Sequence, residues 1–157
     1  MGVGFPNSLQ KRRREAGFSL IELLIAVAII MIIMAIAIPS LGKLRKNTNA
    51  TAAMGNLKTL ATVLNAYATE YPNVGYPPSL LALGPPANGG AESGSAAGLI
   101  DESLAKAGTA AKQGYIFTYT AAACRPSSGY IVTANPHNGA ATRYFYMDQD
   151  GAIHFND

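Results

Sequence analysis

The segment that organises this chain spans residues 17–41 and reads GFSLIELLIAVAIIMIIMAIAIPSL. It is apolar throughout apart from two serines and the carboxylate of Glu22, and it has no polar face. Residues 18–38 number 21, close to the roughly 20 that a helix needs to cross a hydrocarbon core of about 30 Å. The segment therefore predicts a membrane-spanning helix. Glu22 lies near one end of it, where a charge costs less than at the centre.

Glu22 allows three interpretations. Its carboxylate reaches the membrane interface, or it complements the positive end of the helix dipole. The third interpretation starts from a cut after Gly17, which would give Phe18 a free, positively charged amine. Positions i and i+4 share a helix face, so this amine and the Glu22 carboxylate would satisfy each other within one chain or between packed neighbours. Such a pairing is a mechanism for assembly.

The order of features around this segment is specific. A basic stretch ends at Gly17, an aromatic residue follows at Phe18, Glu22 comes four residues later, and the apolar run closes at Pro39. This combination, over roughly residues 11–40, resembles the type IV prepilin signature. The resemblance implies that a prepilin peptidase cuts after Gly17 and methylates the amine of Phe18. It also implies that Glu22 helps to dock each subunit into a growing filament, and that the helix kinks at Pro39.

The basic character of the chain belongs to its first residues. Of twelve Lys and Arg, four lie in residues 1–17, against one of the nine acids. The remaining chain has eight basic and eight acidic side chains and is formally neutral, so no nucleic-acid partner is indicated. The positive-inside rule places the leader in the cytoplasm and the rest outside. Three cations after the apolar run, Lys43, Arg45 and Lys46, argue weakly the other way.

A conventional secretory signal is the main alternative for the apolar run. A general signal peptidase would cut near Ala35-x-Ala37 and release a secreted soluble domain. The run is longer than the 7 to 15 residues usual for such a signal, and it carries Glu22. We therefore favour the prepilin interpretation.

Beyond Pro39 the helix is expected to resume. Apolar residues recur there at three- and four-residue steps, which predicts an amphipathic helix ending at Tyr71-Pro72. The expected buried stripe is Met54, Leu57, Ala61, Leu64, Ala68 and Tyr71. Prolines and glycines make most of residues 72–98 irregular, with one helical turn at 79–83 and an exposed loop at 84–98.

The last third of the chain predicts a sheet. A short helix is expected at residues 99–107, and β-branched and aromatic runs joined by turn residues predict four strands in antiparallel hairpins, at 115–120, 130–134, 143–147 and 152–155. The predicted fold is α+β and pilin-like, a long N-terminal helix packed on a small antiparallel sheet. Its parts are a leader at 1–17, a transmembrane and filament-core helix at 18–38, a helix continuing into the head at 39–71, and a globular head at 72–157.

Two further features are candidates for sites. Asp148-x-Asp150-Gly151 looks like the start of a calcium loop, but no acidic residue closes a loop of twelve, so a plain hairpin is preferred and no metal or other cofactor is expected. Cys124 is the single cysteine. We expect it to be a buried or half-buried thiol rather than an intermolecular crosslink. No nucleophile elbow or phosphate loop is present, so no enzyme is predicted.

The resemblance implies a structural subunit of a type IV pilus filament, serving cell adhesion or motility. It would be a single-pass inner-membrane protein before assembly and part of an extracellular, homo-oligomeric helical fibre afterwards. Its partners would be prepilin peptidase and the inner-membrane assembly machinery. The alternatives are a pseudopilin of a type II secretion system, in a periplasmic pseudopilus, and a minor pilin for DNA uptake.

Overall fold

The computed structural model describes residues 17–124 and 126–156. The first element is a helix, α1, at Leu20–Glu70, which includes Pro39. The chain divides into two compact units, Met1–Pro39 and Ser40–Asp157. The predicted leader lies outside the described residues except for Gly17. The helix continues through Pro39, although a proline can interrupt a helix. A kink at Pro39 stays a prediction.

In the first unit, the apolar side chains of α1 have no covering within the described residues. From Phe18 to Ile38 each large apolar side chain is at least 45% exposed. A helix of this length and composition is able to cross a membrane. Because this helix is apolar all round, it needs apolar surroundings on every side.

In the second unit, α1 lies on the sheet and buries one stripe. The buried residues are Ala50, Ala53, Leu57, Leu60, Leu64 and Tyr67. Leu57 and Leu64 of the predicted stripe are fully buried, whereas Met54, Ala61 and Tyr71 are partly buried and pack against the edge of the core. The prediction omitted Leu60 and Tyr67, which are fully buried. Two apolar lines overlap on this helix. The one that is buried places Leu60 and Tyr67 in the core instead of the smaller Ala61 and Ala68, which removes more apolar area from water.

Four strands form one antiparallel sheet in the order β1-β2-β3-β4. They are β1 (Tyr115–Ala121), β2 (Tyr130–Pro136), β3 (Tyr144–Asp148) and β4 (Ile153–Asn156). Alternate residues face α1, and the register sets Phe117 opposite Ala134 and Val132 opposite Met147. All four of these side chains are fully buried. The α+β prediction is confirmed, and each predicted strand lies within one or two residues of its observed bounds.

The segment between α1 and the sheet is irregular but closely held. It contains 3₁₀ turns at Leu80–Leu83 and Ala87–Gly89 and a short helix, α2, at Glu102–Ala105. Asp101 caps α2 by accepting the Leu104 N–H at 3.1 Å and pairs with the Lys112 ammonium at 2.8 Å. The Lys112 hydrogen bond, followed by that of Ser103, lowers the pKa of Asp101 to about 2. Loop 84–98 is largely exposed as predicted, although Ala97 is buried.

The chain leaving α1 is fastened to the β1–β2 connection through Gly75. Ser127 N–H donates to Val74 O at 2.9 Å, and Tyr76 N–H donates to Ser127 O at 3.1 Å. Gly75 has a φ of +72°, and a Cβ on it would lie 2.2 Å from Ser127 O. A glycine is therefore required here for two reasons, the left-handed backbone and the close approach of another backbone.

We predict that Gly75→Ala destabilises the head far more than Gly139→Ala. Gly139 has a similar φ of +69° but open space around its Cβ position, so the control carries only the left-handed strain. The extra clash should add about 1–3 kcal/mol, the range for overpacking. Chemical unfolding of the detergent-solubilised chain, followed by near-ultraviolet circular dichroism, measures both variants. Equal losses would show that the contact at Ser127 relaxes without cost.

Candidate functional site

The start of α1 carries the candidate site. Gly17, Phe18 and Ser19 precede the helix, which begins at Leu20. The Ser19 N–H donates to Glu22 Oε2 at 2.8 Å, and the Leu23 N–H donates to Ser19 O at 3.2 Å. Ser19 is thus the residue before the helix and Glu22 its third residue. This is the arrangement in which a glutamate reaches back to the start of its own helix, as in a capping box.

This hydrogen bond has a clear physical cause. The first N–H groups of a helix have no intrahelical acceptor, and in an apolar setting each unsatisfied donor is costly. Glu22 supplies an acceptor for Ser19, and its negative charge lies at the positive end of the helix dipole. The geometry therefore supports the dipole interpretation of Glu22 in the uncut chain.

The pairing of Glu22 with a free amine belongs to the cut chain. Before a cut, the nitrogen of Phe18 is a neutral peptide group and offers no positive charge. The assembly role of Glu22 accordingly stays a prediction. Ser19 is the residue that sequence reasoning missed. Its signal was present, because a serine followed three residues later by a glutamate, directly before an apolar run, is the sequence pattern of a capping box.

The predicted cleavage point is accessible. Gly17 is exposed, and Phe18 is 81% exposed. A Cβ on Gly17 would meet no heavy atom within 4 Å. Packing within the described part of the chain therefore gives no reason for a glycine at this position. If a glycine is required at position 17, the requirement would come from another molecule that binds the Gly17–Phe18 peptide bond.

The two aspartates weighed for calcium lie in the β3–β4 hairpin. Asp150 N–H donates to Asp148 Oδ1 at 3.1 Å, and Gly151 N–H donates to Asp148 O at 3.0 Å. An aspartate that bonds the backbone two residues on is a common turn former. Among residues 17–124 and 126–156, no three His, Cys, Asp or Glu side chains form a group that could hold a metal ion.

Cys124 is exposed, so the expectation of a buried or half-buried thiol was wrong. The β1–β2 connection turns Ser127 inward instead, and its hydroxyl donates to Ala122 O at 3.1 Å. Cys124 Sγ lies 3.5 Å from Ser128 Oγ, and the hydrogen bond from Ser128 lowers the pKa of the thiol.

An uncovered apolar N-terminal helix joined to an α+β head defines a pilin-like protein. Comparison with known families agrees, because residues 12–38 match the prokaryotic N-terminal methylation motif. The chain is similar in this segment to type IV pilins and to type II secretion pseudopilins.

Two relatives come from these two groups of proteins. The chain is 33% identical over 67 residues, 43% of its length, to the type II secretion system core protein G of Pseudomonas aeruginosa. It is 46% identical over 57 residues, 36% of its length, to the type IV major pilin protein PilA of Myxococcus xanthus. These matches span 46% and 26% of the two relatives, so the chain covers half or less of each.

We predict that Gly17→Val blocks removal of the leader while the chain still enters the membrane. The processed fraction should fall by about tenfold or more, because a misfit of one or two carbons in a specificity pocket changes kcat/KM by that order. Gly42→Val is the matched control, since its Cβ position is equally open. Immunoblotting and mass spectrometry of membrane fractions report the chain length. Normal processing of the Gly17 variant would remove the cleavage assignment.

Proposed function

We propose that this chain is a structural subunit of a type IV pilus filament, matured by a prepilin peptidase and polymerised through its N-terminal helix. The observation that carries the proposal is the uncovered apolar surface from Phe18 to Ile38, which follows an exposed Gly17-Phe18 junction.

This apolar surface has to be removed from water. A continuous apolar surface of this size is not stable in water. Two surroundings remove it from water, a lipid bilayer and a bundle of identical helices. A subunit that is held in the membrane first and moves into a fibre core afterwards uses both. In the fibre, the Glu22 carboxylate forms an ion pair with the freed amine of Phe18. This ion pair takes the place of the hydrogen bond that Glu22 accepts from the Ser19 N–H before the cut.

The proposed partners follow from this route. They are prepilin peptidase, the inner-membrane assembly machinery and further copies of the same chain. We place the leader in the cytoplasm and the head outside, on the charge of residues 11–14. The role is structural and non-enzymatic, and the head joins an extracellular pilus.

A pseudopilin of a type II secretion system is the second candidate. The observation in its favour is the similarity to core protein G, whose matched segment covers 46% of that protein. Both candidates share the N-terminal segment and its processing. They differ in where the polymer ends, at the cell surface or in the periplasm.

The test is direct sequencing of the mature N-terminus together with a search for surface filaments. We expect the mature chain to begin at methylated Phe18 and to be found in sheared surface fibres. A mature start at Ile38 would instead identify a secreted soluble domain. Correct processing without surface fibres, together with loss of protein secretion in a deletion strain, would identify the pseudopilin.

Glu22→Ala and Glu22→Gln separate the two roles of this carboxylate. Glutamine keeps an acceptor for the Ser19 N–H but carries no charge. If the charge pairs with the Phe18 amine, both variants are processed normally and both lose filaments. We expect a loss of about a hundredfold, because an unpaired charge in an apolar core costs several kcal/mol. Sheared filaments are counted against processed subunit in the membrane. Normal filament yield with Gln would reduce Glu22 to a cap.

A further inference from the structure

Lys43 and Lys46 continue the line of α1 that the head covers. Lys46 precedes the buried Ala50 by four residues, and Lys43 precedes it by seven, so all three lie on one face of the helix. From Ala50 to Tyr67 this line is packed against the head. Before Ala50 it is exposed and carries two ammonium groups. We call Lys43 and Lys46 the basic end.

The opposite end of the head is acidic. Glu70 is the last residue of α1, whose last turn contains no basic residue, and the end of a helix is already negative through its dipole. The loop that carries Glu92 packs at the same place, since a Cβ on Gly94 would lie 3.5 Å from Tyr71 Cδ1. Desolvation, followed by the charges of Glu70 and Glu92, raises the pKa of Tyr71. Both carboxylates are exposed. We call Glu70 and Glu92 the acidic end.

The two ends cannot meet within one chain. Glu70 lies 24 residues after Lys46 and 27 after Lys43, which on a rise of 1.5 Å per residue is roughly 36–40 Å. The ion pairs found among the described residues are Lys106–Glu102 and Lys112–Asp101, and neither involves these ends. The second unit therefore has charges of opposite sign at opposite ends of the part of α1 that it contains.

We propose that the basic end of one copy binds the acidic end of a second copy along the fibre. This inference rests on the proposed function. Lys43 and Lys46 are exposed on the same line of α1 that the copy's own head covers from Ala50 onwards. In the proposed fibre, the acidic end of a second copy covers this exposed part of the line. The contact joins two different surfaces, so it does not close on itself and continues as an open filament.

The role of this contact is to set the axial register. Exposed ion pairs add little binding energy, but charge complementarity selects one alignment and penalises like charges brought together. Apolar helix packing resists sliding weakly, since neighbouring registers bury similar area. A charge match at roughly 36–40 Å, the length of helix between the two ends, would select one spacing.

Charge exchange in the full-length chain, expressed in cells that assemble it, tests the proposal. One variant carries Lys43→Glu and Lys46→Glu, a second carries Glu70→Lys and Glu92→Lys, and a third carries all four. Lys58→Glu is the control, because Lys58 is exposed on α1 but lies off the line. Loss of the two cations after the apolar segment also favours the proposed orientation. Sheared filaments are measured against processed subunit in the membrane.

We expect each one-sided reversal to lower filament yield by about tenfold or more, through repulsion of like charges. The fourfold variant should recover to within about twofold of wild type, with the control unchanged. Three results would each overturn the inference. In all three the wild type still forms filaments, so the proposed function is not contradicted. These results are normal assembly of the one-sided variants, no recovery in the fourfold variant, and a loss in the control equal to theirs.

A fourth result identifies another occupant. Anionic lipid headgroups attract cations that flank a membrane segment. If they bind the basic end, only the lysine variant loses filaments, and reversing the acidic end neither harms nor rescues assembly. Absence of filaments from wild type itself would contradict the proposed function and not this contact in particular.

Discussion

The apolar surface of residues 18–38 has no partner within the described chain, and the rest of the molecule follows from that constraint. If a helix without a polar face packs on one side alone, the apolar side chains on its other side stay exposed to water. Its backbone groups are satisfied internally, so it is stable in lipid or among similar helices. The exception is its first turn, where N–H groups lack intrahelical acceptors. At that point Glu22 accepts a hydrogen bond from the Ser19 N–H. The same carboxylate therefore caps the helix and lies beside the peptide bond at which we propose the cut.

The second half of α1 has one buried side and one exposed side. It faces a sheet on one side and has no such covering on the other. Several threonines occupy its exposed side, and their hydroxyls donate to carbonyls four residues earlier, for Thr48, Thr51, Thr59, Thr62 and Thr69. Because each hydroxyl donates its hydrogen bond within the helix, the short threonine side chains leave a smooth and weakly polar surface. Such a surface is compatible with water and also with the close approach of a neighbour.

Sequence reasoning succeeded where one pattern dominated. The strands could be predicted because aromatic and β-branched residues alternate between clear turns, as in Tyr115 and Phe117. It failed on the buried stripe of α1, because alanines and leucines supply two overlapping lines and only packing against the sheet selects one. Cys124 was misplaced for a related reason, since neither side chain type nor spacing shows which residue of an irregular connection turns inward. Ser19 was overlooked although its spacing to Glu22 was readable.

The candidate site was predictable to the level of the superfamily because its chemistry lies in a short local segment. In the proposed function, the choice between pilus and pseudopilus depends on what the head contacts in the polymer, and the local segment holds no information on that. The formal charge of the chain also differs between the segment up to residue 17 and the rest. The full sequence carries a formal charge of +3, and after residue 17 the acidic and basic side chains are equal in number. Repeating an uncompensated charge along a polymer accumulates repulsion. In the proposed function, a cut after Gly17 would therefore have two effects. It would free the amine with which Glu22 can pair, and it would leave side chains whose formal charges sum to zero.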